Sequence, residues 1–322
     1  MELRIFFIAL ILLVGCETQL EDPILEESKS SEGSLLSKAA TKGKNILEDG
    51  SVYEGDLVRG LPHGFGLRKF SNEDFYEGQF EEGLAHGHGT IRYKSDPNLE
   101  KYVGMWSSGL REGFGTLFFA DSSLMVGHWK NDAFYYGEFQ RSDGTLISGK
   151  WTRESLSEGK VRDEFGNIFT GVFNEKGGYQ EGHLQVINQD VYTGKFLNNL
   201  YHGKGILSKQ DGSLYVGDFV NGEYSGAGIL TLNDGTRYSG EFQNNEPNGF
   251  GIQSNAQGVV YSGLWEKGLK NGTGNLDFGD GSNFVGEFRN GLAYEGLYDW
   301  GDGRITDSYQ DTDGQWVDRQ EP

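Results

Sequence analysis

The chain has 322 residues, 51 of them glycine, with 13% aromatic residues and a net charge of −20. A glycine content more than twice the usual, beside so many rings, argues against an ordinary α/β domain. A surface this acidic repels phosphates, which argues against nucleic acid and against broad docking on anionic headgroups, and leaves cationic, neutral or proteinaceous ligands.

At the N-terminus, Met1-Glu-Leu-Arg4 precedes an unbroken apolar run from Ile5 to Val14. Ten apolar residues are too few to span a bilayer. They suit the hydrophobic core of a secretion signal over residues 1–15, although Glu2 offsets the charge of Arg4. Leu13-Val-Gly-Cys16 resembles a bacterial lipobox, in which small residues let a peptidase cut before a cysteine that carries a diacylglycerol. Cys16 is the sole cysteine, so it has no internal disulfide partner. Lipidation of Cys16 is the expected reason for it, and an ordinary signal peptide with an incidental cysteine is the alternative. Residues 16–45 then comprise the lipidated cysteine and a disordered tether rich in Glu, Ser and Lys with no aromatic residue. The expected location is a membrane of the bacterial cell envelope.

From residue 46 to residue 298 the chain repeats itself. Anchors at Tyr53, Tyr76, Tyr102, Met125, Ile147 and Phe169 are spaced by 23, 26, 23, 22 and 22, and those at Tyr192, Tyr215, Tyr238, Tyr261 and Phe284 by 23 throughout. Eleven units at so fixed a period mark an architecture of stacked supersecondary elements. Counting from the anchor, Gly stands at two and a bulky apolar residue at four, as in Tyr238-Ser-Gly-Glu-Phe242. That alternation is a strand with all three positions on one face. After Gly at seven a polar turn is expected, then Gly at eleven and thirteen and a second strand, closed by a dipeptide such as Asp211-Gly212 or Asp234-Gly235. Glycine weakens a strand unless a ring covers it. The regular pairing of Gly with aromatic therefore predicts rings lying over the bare backbone of the neighbouring strand. The fold class is all-β: an elongated single-layer meander of tandem 23-residue hairpins, with residues 299–322 as a C-terminal cap or tail.

The pattern Tyr-x-Gly-x-aromatic-x-x-Gly-x-x-x-Gly-x-Gly is met in full at Tyr76, Gly78, Phe80, Gly83, Gly87 and Gly89, and likewise from Tyr102, Tyr215 and Tyr261. It resembles the MORN repeat. The resemblance implies protein-interaction and membrane-associated modules, sometimes attached to an enzyme, for which no residues remain here.

Between Met125 and Gly182 the pattern degrades: Asp132, Tyr136, Glu138, Glu154 and Glu158 stand where other units have glycine, while Trp129 and Trp151 persist. This stretch is the candidate partner-binding site, through Trp129, Asp132, Tyr136, Glu138, Trp151, Glu154 and Glu158; tolerated drift is the alternative. Other constellations carry little chemistry. His63, His86 and His202 share position ten, but equivalent positions in successive units lie roughly 10 Å apart, too far to share a metal, and they read as solvated histidines at a turn. Asp277-Phe-Gly279 lacks the companion motifs of a kinase, Asp311-Thr-Asp-Gly314 lacks the twelfth-position glutamate of a calcium loop, and no Gly-x-Gly continues into a phosphate loop. The expected function is a non-enzymatic, membrane-anchored, protein-binding scaffold without cofactor, catalytic residues or metal. The alternative is a binder of cell-wall glycan or lipid along the aromatic face.

Overall fold

The computed structural model describes residues 40–152 and 155–319. Cys16, the signal segment, the tether up to residue 39 and Glu154 lie outside the described residues. Those described form one open antiparallel sheet of 25 strands, each hydrogen-bonded to the strands before and after it in sequence. There is no helix among them.

The unit anchored at Tyr215 shows how the sequence builds each hairpin. Its leading strand, Leu214–Val220, turns at Asn221-Gly222 into the returning strand Glu223–Thr231. Asn221 and Gly222 have φ of 53° and 90°, as a two-residue hairpin turn requires. The glycine at seven is thus a turn residue itself, and the returning strand begins at position eight. This corrects the expected longer polar turn, and with it the placement of His63, His86 and His202, which lie within strands. The far end closes through an aspartate: Asp211 Oδ1 accepts from the Ser213 N–H at 2.8 Å and from its hydroxyl at 2.6 Å, while Gly212 takes φ of 87°.

Gly217 pairs with Gly228, and Gly228 with Gly240, so the glycines at two and thirteen form a row across the sheet. The Tyr215 ring lies over this row. A Cβ built on Gly217 would fall 2.5 Å from the Tyr215 hydroxyl oxygen and 2.6 Å from Gly228 Cα. The rings at position four then wedge edge-on between anchors: Phe242 meets Tyr215 at 5.1 Å and 90°, and Tyr238 at 5.0 Å and 83°. Anchors such as Tyr53, Tyr192, Tyr215 and Phe284 are wholly buried. The core of this single layer is therefore its own aromatic face.

Just beyond Gly217 the returning strand carries two extra residues, Gly226 and Ala227, with Gly226 left-handed at φ 59°. The bulge leaves the Asp218 carbonyl free to accept from the Tyr215 hydroxyl at 3.0 Å. All seven tyrosine anchors make this bond to the carbonyl three residues on. Tyr215→Phe, which orphans that carbonyl, is expected to cost about 1 kcal/mol in urea denaturation. The same seven units are tied to the next by a backbone bond from its position seven to their position nine, as in Gly222 N–H to the Tyr201 carbonyl at 2.9 Å.

Where the anchor is Met125, Ile147 or Phe284, the bulge is one residue, and the paired glycine falls at twelve instead of thirteen: Gly127 with Gly137, Gly149 with Gly159, Gly286 with Gly296. The shorter bulge accounts for the 22-residue spacings after Met125 and Ile147. In the Phe169 unit the bulge is also one residue, but the turn through Asn174–Gly178 is longer and returns the glycine, Gly182, to thirteen. The middle has therefore not lost its glycine row. Tyr136, Glu138 and Glu158 flank the displaced glycines, a correction to their reading as replacements.

The sheet extends past both expected ends of the repeats. Thr41–Ile46, assigned mostly to the tether, is a strand whose Gly43 pairs with Gly55 and continues the glycine row. In the C-terminal segment, Ile305–Gln310 and Trp316–Asp318 add two more strands, with buried Ser308 on the row opposite Gly296.

Hydrogen bonds from the residue two positions on hold the turn aspartates below the ordinary carboxylate range. The Ser51 hydroxyl, then its N–H, lowers Asp49 to about 2, and Asp211 and Asp280 are lowered in the same way by Ser213 and Ser282. A lowered folded-state value contributes stability above the unfolded value of about 4 and loses it as pH falls toward the folded value. Burial raises the anchor tyrosines, to about 12 for Tyr192, Tyr238 and Tyr261, a contribution complete below about pH 10 and lost above it. Melting temperature measured by circular dichroism at fixed ionic strength is expected to fall from pH 4 toward 2 and again above 10.

Candidate binding face

The aromatic face is closed: of the candidate residues, Trp129 is 4% and Trp151 8% exposed, and both belong to the core. The Trp129 indole donates to the Gly115 carbonyl at 3.3 Å, whereas Trp151 Nε1 has no partner among the described residues. A glycan or lipid would find the ring faces of the anchors already covered. Asp132 takes the left-handed turn position with φ of 66°, and its carboxylate accepts from the Arg111 N–H at 2.8 Å and from Arg111 Nε at 3.2 Å.

The opposite face is open. Side chains at positions one, three, twelve and fourteen point to it, since they alternate with the anchor and its glycines. Between the Tyr192 and Tyr238 units they wall a groove of about 780 Å³, floored by the backbone of Gly205, Gly217, Gly228 and Gly240. One wall carries Ile206, Val216, Ile229 and Ile252, and the other Lys204, Glu241 and Phe250. The floor is low because glycine backbone alone forms it. Leu264 and Val285 continue the groove toward the C-terminal end, and Phe65 and Leu67 line its counterpart near the first strands.

Tyr136, half-exposed, pairs in register with His128 and Lys150, and so stands in the row of Phe114, which packs edge-on against His128 at 5.6 Å. Glu138 pairs with Val126 and Ser148 in the facing row. Glu158 is ion-paired with Lys150 at 3.1 Å. The middle of the open face therefore carries charge where the groove of the Tyr192 to Tyr238 units is largely apolar, while the N-terminal counterpart sets Lys42, Lys44 and Glu54 beside Phe65 and Leu67. The structure brings Tyr136, Glu138 and Glu158 to one face and separates them from Trp129 and Trp151. The groove's apolar wall is not among the residues the sequence singles out, although Ile206, Val216, Ile229 and Ile252 all stand one residue beside an anchor-face position.

Of the histidines, His86 Nδ1 meets Glu81 at 3.2 Å. Among the described residues no three His, Cys, Asp or Glu side chains converge as a metal site would require.

The family model for the MORN repeat matches residues 53–75, 76–96, 102–124, 192–214, 215–237, 238–259 and 261–283. No curated protein matches the chain. Similar solved structures include the TCP10 domain of Danio rerio CPAP in complex with a peptide of Danio rerio STIL, at 12% identity and TM-score 0.19, covering 77% of this chain and 94% of that one. Another is the TCP domain of Drosophila melanogaster SAS-4 in complex with a proline-rich motif of Ana2, at 12% identity and TM-score 0.19, covering 66% and 96%. Superpositions this poor bear on neither site nor partner. The seven matched segments start at the seven tyrosine anchors, the units that share the two-residue bulge, the left-handed glycine and the hydroxyl-to-carbonyl bond. The chain belongs to the MORN-repeat family.

Proposed function

We propose that the chain is a non-enzymatic scaffold of the bacterial cell envelope, held to a membrane by a lipid on Cys16, that binds a protein partner on the open face of its sheet. The observation that carries this reading is the contrast between the faces. One packs its rings into a core in which the anchor rings are buried, while the other exposes Ile206, Val216, Phe250 and Ile252 along a groove. Exposed apolar surface ordered in this way marks an interaction site. The middle supplies specificity through Tyr136, Glu138 and Glu158, whose charge and ring interrupt the groove; Trp129, Trp151 and Asp132 serve it by packing and turn formation.

Two arms test this reading. Envelope extracts are passed over residues 40–322 and over two folded variants, Ile229→Asp with Ile252→Asp and Tyr136→Ala with Glu158→Lys, and captured proteins are quantified by mass spectrometry. A partner retained by the wild type and lost at least tenfold from the first pair is expected; equal capture by all three proteins would remove the open face as the site. Loss from the second pair alone would place recognition in the middle. Separately, Cys16→Ser in the full chain is expected to move the protein from the membrane to the soluble fraction, since stable anchoring takes lipid chains. A variant that stays wholly with membranes in high and low salt would locate the anchor elsewhere.

A further inference from the structure

The two ends of the sheet are finished differently. At the C-terminal end the last strand, Trp316–Asp318, is three residues long, and its Asp318 carboxylate accepts from the Thr306 and Ser308 hydroxyls at 3.0 and 2.9 Å. A very short strand is one of the ways a sheet blunts its edge. The N-terminal end is made by Thr41–Ile46, six residues long and without proline. Next to it the Leu47 N–H donates to the Ser51 carbonyl at 2.9 Å, and the register from Ile46 opposite Val52 to Thr41 opposite Leu57 runs without a bulge. Backbone groups alternate sides along a strand. Those of Thr41, Gly43 and Asn45 therefore face the second strand, while those of Lys42, Lys44 and Ile46 face outward. Among the described residues no strand pairs with that outer edge.

Lys42 and Lys44 are exposed on the open face, either side of Gly43, and the strand carries no acid. Their inner neighbours hold them weakly. Glu54 lies 3.8 Å from Lys44 with both side chains mostly exposed, and Asp56, opposite Lys42, accepts from the Phe65 N–H at 3.2 Å. A second copy of this edge is a poor partner, because antiparallel pairing about Gly43 sets Lys42 against Lys44 twice, and like charges directly opposite destabilise. Acids in those two places are attracted instead. The residue between them would point to the packed face, where the Leu57 side chain already lies over Gly43, so it has to be small.

We propose that the outer edge of Thr41–Ile46 is a strand-addition site for an extended segment of another polypeptide in which two acidic residues flank one small residue. Main-chain bonds to Lys42 and Lys44 supply the affinity, and the two ion pairs set the register. The site is the edge of the sheet, and it stands whether or not the groove of the open face binds a partner.

The test is amide hydrogen exchange of the ¹⁵N-labelled full chain, titrated with the peptide acetyl-Val-Thr-Glu-Ser-Glu-Thr-Val-amide. Exchange at the Lys42 and Lys44 amides is expected to slow at least tenfold at saturation. The Gly43 and Asn45 amides, which face the second strand, should change little and report that the strand itself is intact. The same peptide with lysine in place of both glutamates should give no slowing. Lys42→Glu combined with Lys44→Glu, at two exposed sites, is expected to reverse the preference, so that the lysine peptide protects positions 42 and 44 and the glutamate peptide does not. Lys44→Pro, which removes one outward donor and leaves the bonds to the second strand, should abolish binding of the glutamate peptide. No slowing in the wild type, equal slowing with the lysine peptide, or undiminished slowing in the paired variant would overturn the proposal. Slowing that grows with protein concentration in the absence of peptide would also overturn it, by giving the edge to a second copy.

Discussion

Gly228→Ala is expected to destabilise the sheet by about 3 kcal/mol or more, at the upper end of what overpacking costs. The new methyl would stand 2.7 Å from carbons of the Tyr215 ring. That ring cannot retreat: Phe219 and Phe242 hold its edges at 5.1 Å and Tyr224 covers its face at 3.7 Å. Gly222→Ala serves as the comparison, because nothing lies within 4 Å of its Cβ and only the φ of 90° opposes the change. Its cost should be about 1 kcal/mol. Urea denaturation of both variants measures the difference, and adding Tyr215→Ala to each tests its cause. Strong coupling is expected with Gly228 and none with Gly222, two sites that share no neighbour in the second case. A Gly228→Ala variant within 0.5 kcal/mol of wild type would show that ring over bare backbone is not what holds a unit together.

The ring, the bare backbone beneath it and their spacing are legible in the sequence. The period, the alternation of anchor, glycine and ring, and the Asp-Gly turns each depend on one local rule, and the structure shows the hairpins and the glycine row they imply. Position seven was harder to place. Asn221-Gly222 reads as the start of a polar turn, yet left-handed angles at both residues complete the turn within two positions. The bulge was harder still, because its mark is a conformation of Gly226 that spacing does not display. Counting from the anchor across a bulge that had shortened by one residue put Tyr136 and Glu138 at glycine positions, when Gly137 between them is the glycine that pairs with Gly127. The candidate site divided for the same reason. Strand alternation sends Trp129 and Trp151 to the packed face, and only pairing register shows that Tyr136 and Glu158 stand on the other.

Amide hydrogen exchange is expected to find the sheet least protected in its middle, within Leu146–Thr152 and Ser155–Arg162. Stability in a stacked array is the sum of each unit and its contacts with neighbours. The Met125, Ile147 and Phe169 anchors carry no hydroxyl, so none makes the bond to the carbonyl three residues on. Among the described residues, the Ile147 and Phe169 units also lack the backbone tie from position nine to the next turn. At the far side Asn199 Oδ1 compensates in part, accepting from the Tyr179 N–H at 2.9 Å. Each missing bond is worth about 1 kcal/mol, so two in one unit lower local opening by about 2 kcal/mol, roughly 30-fold in rate. Trp151 Nε1, buried and without a partner among the described residues, adds to this. Leu214–Val220, in the Tyr215 unit with all its ties, is the reference strand. Equal protection in the two regions would mean that the hydroxyl and turn bonds contribute little beside the aromatic stack, which runs unbroken from Trp129 through Phe134 to Trp151 at 5.1 and 5.5 Å.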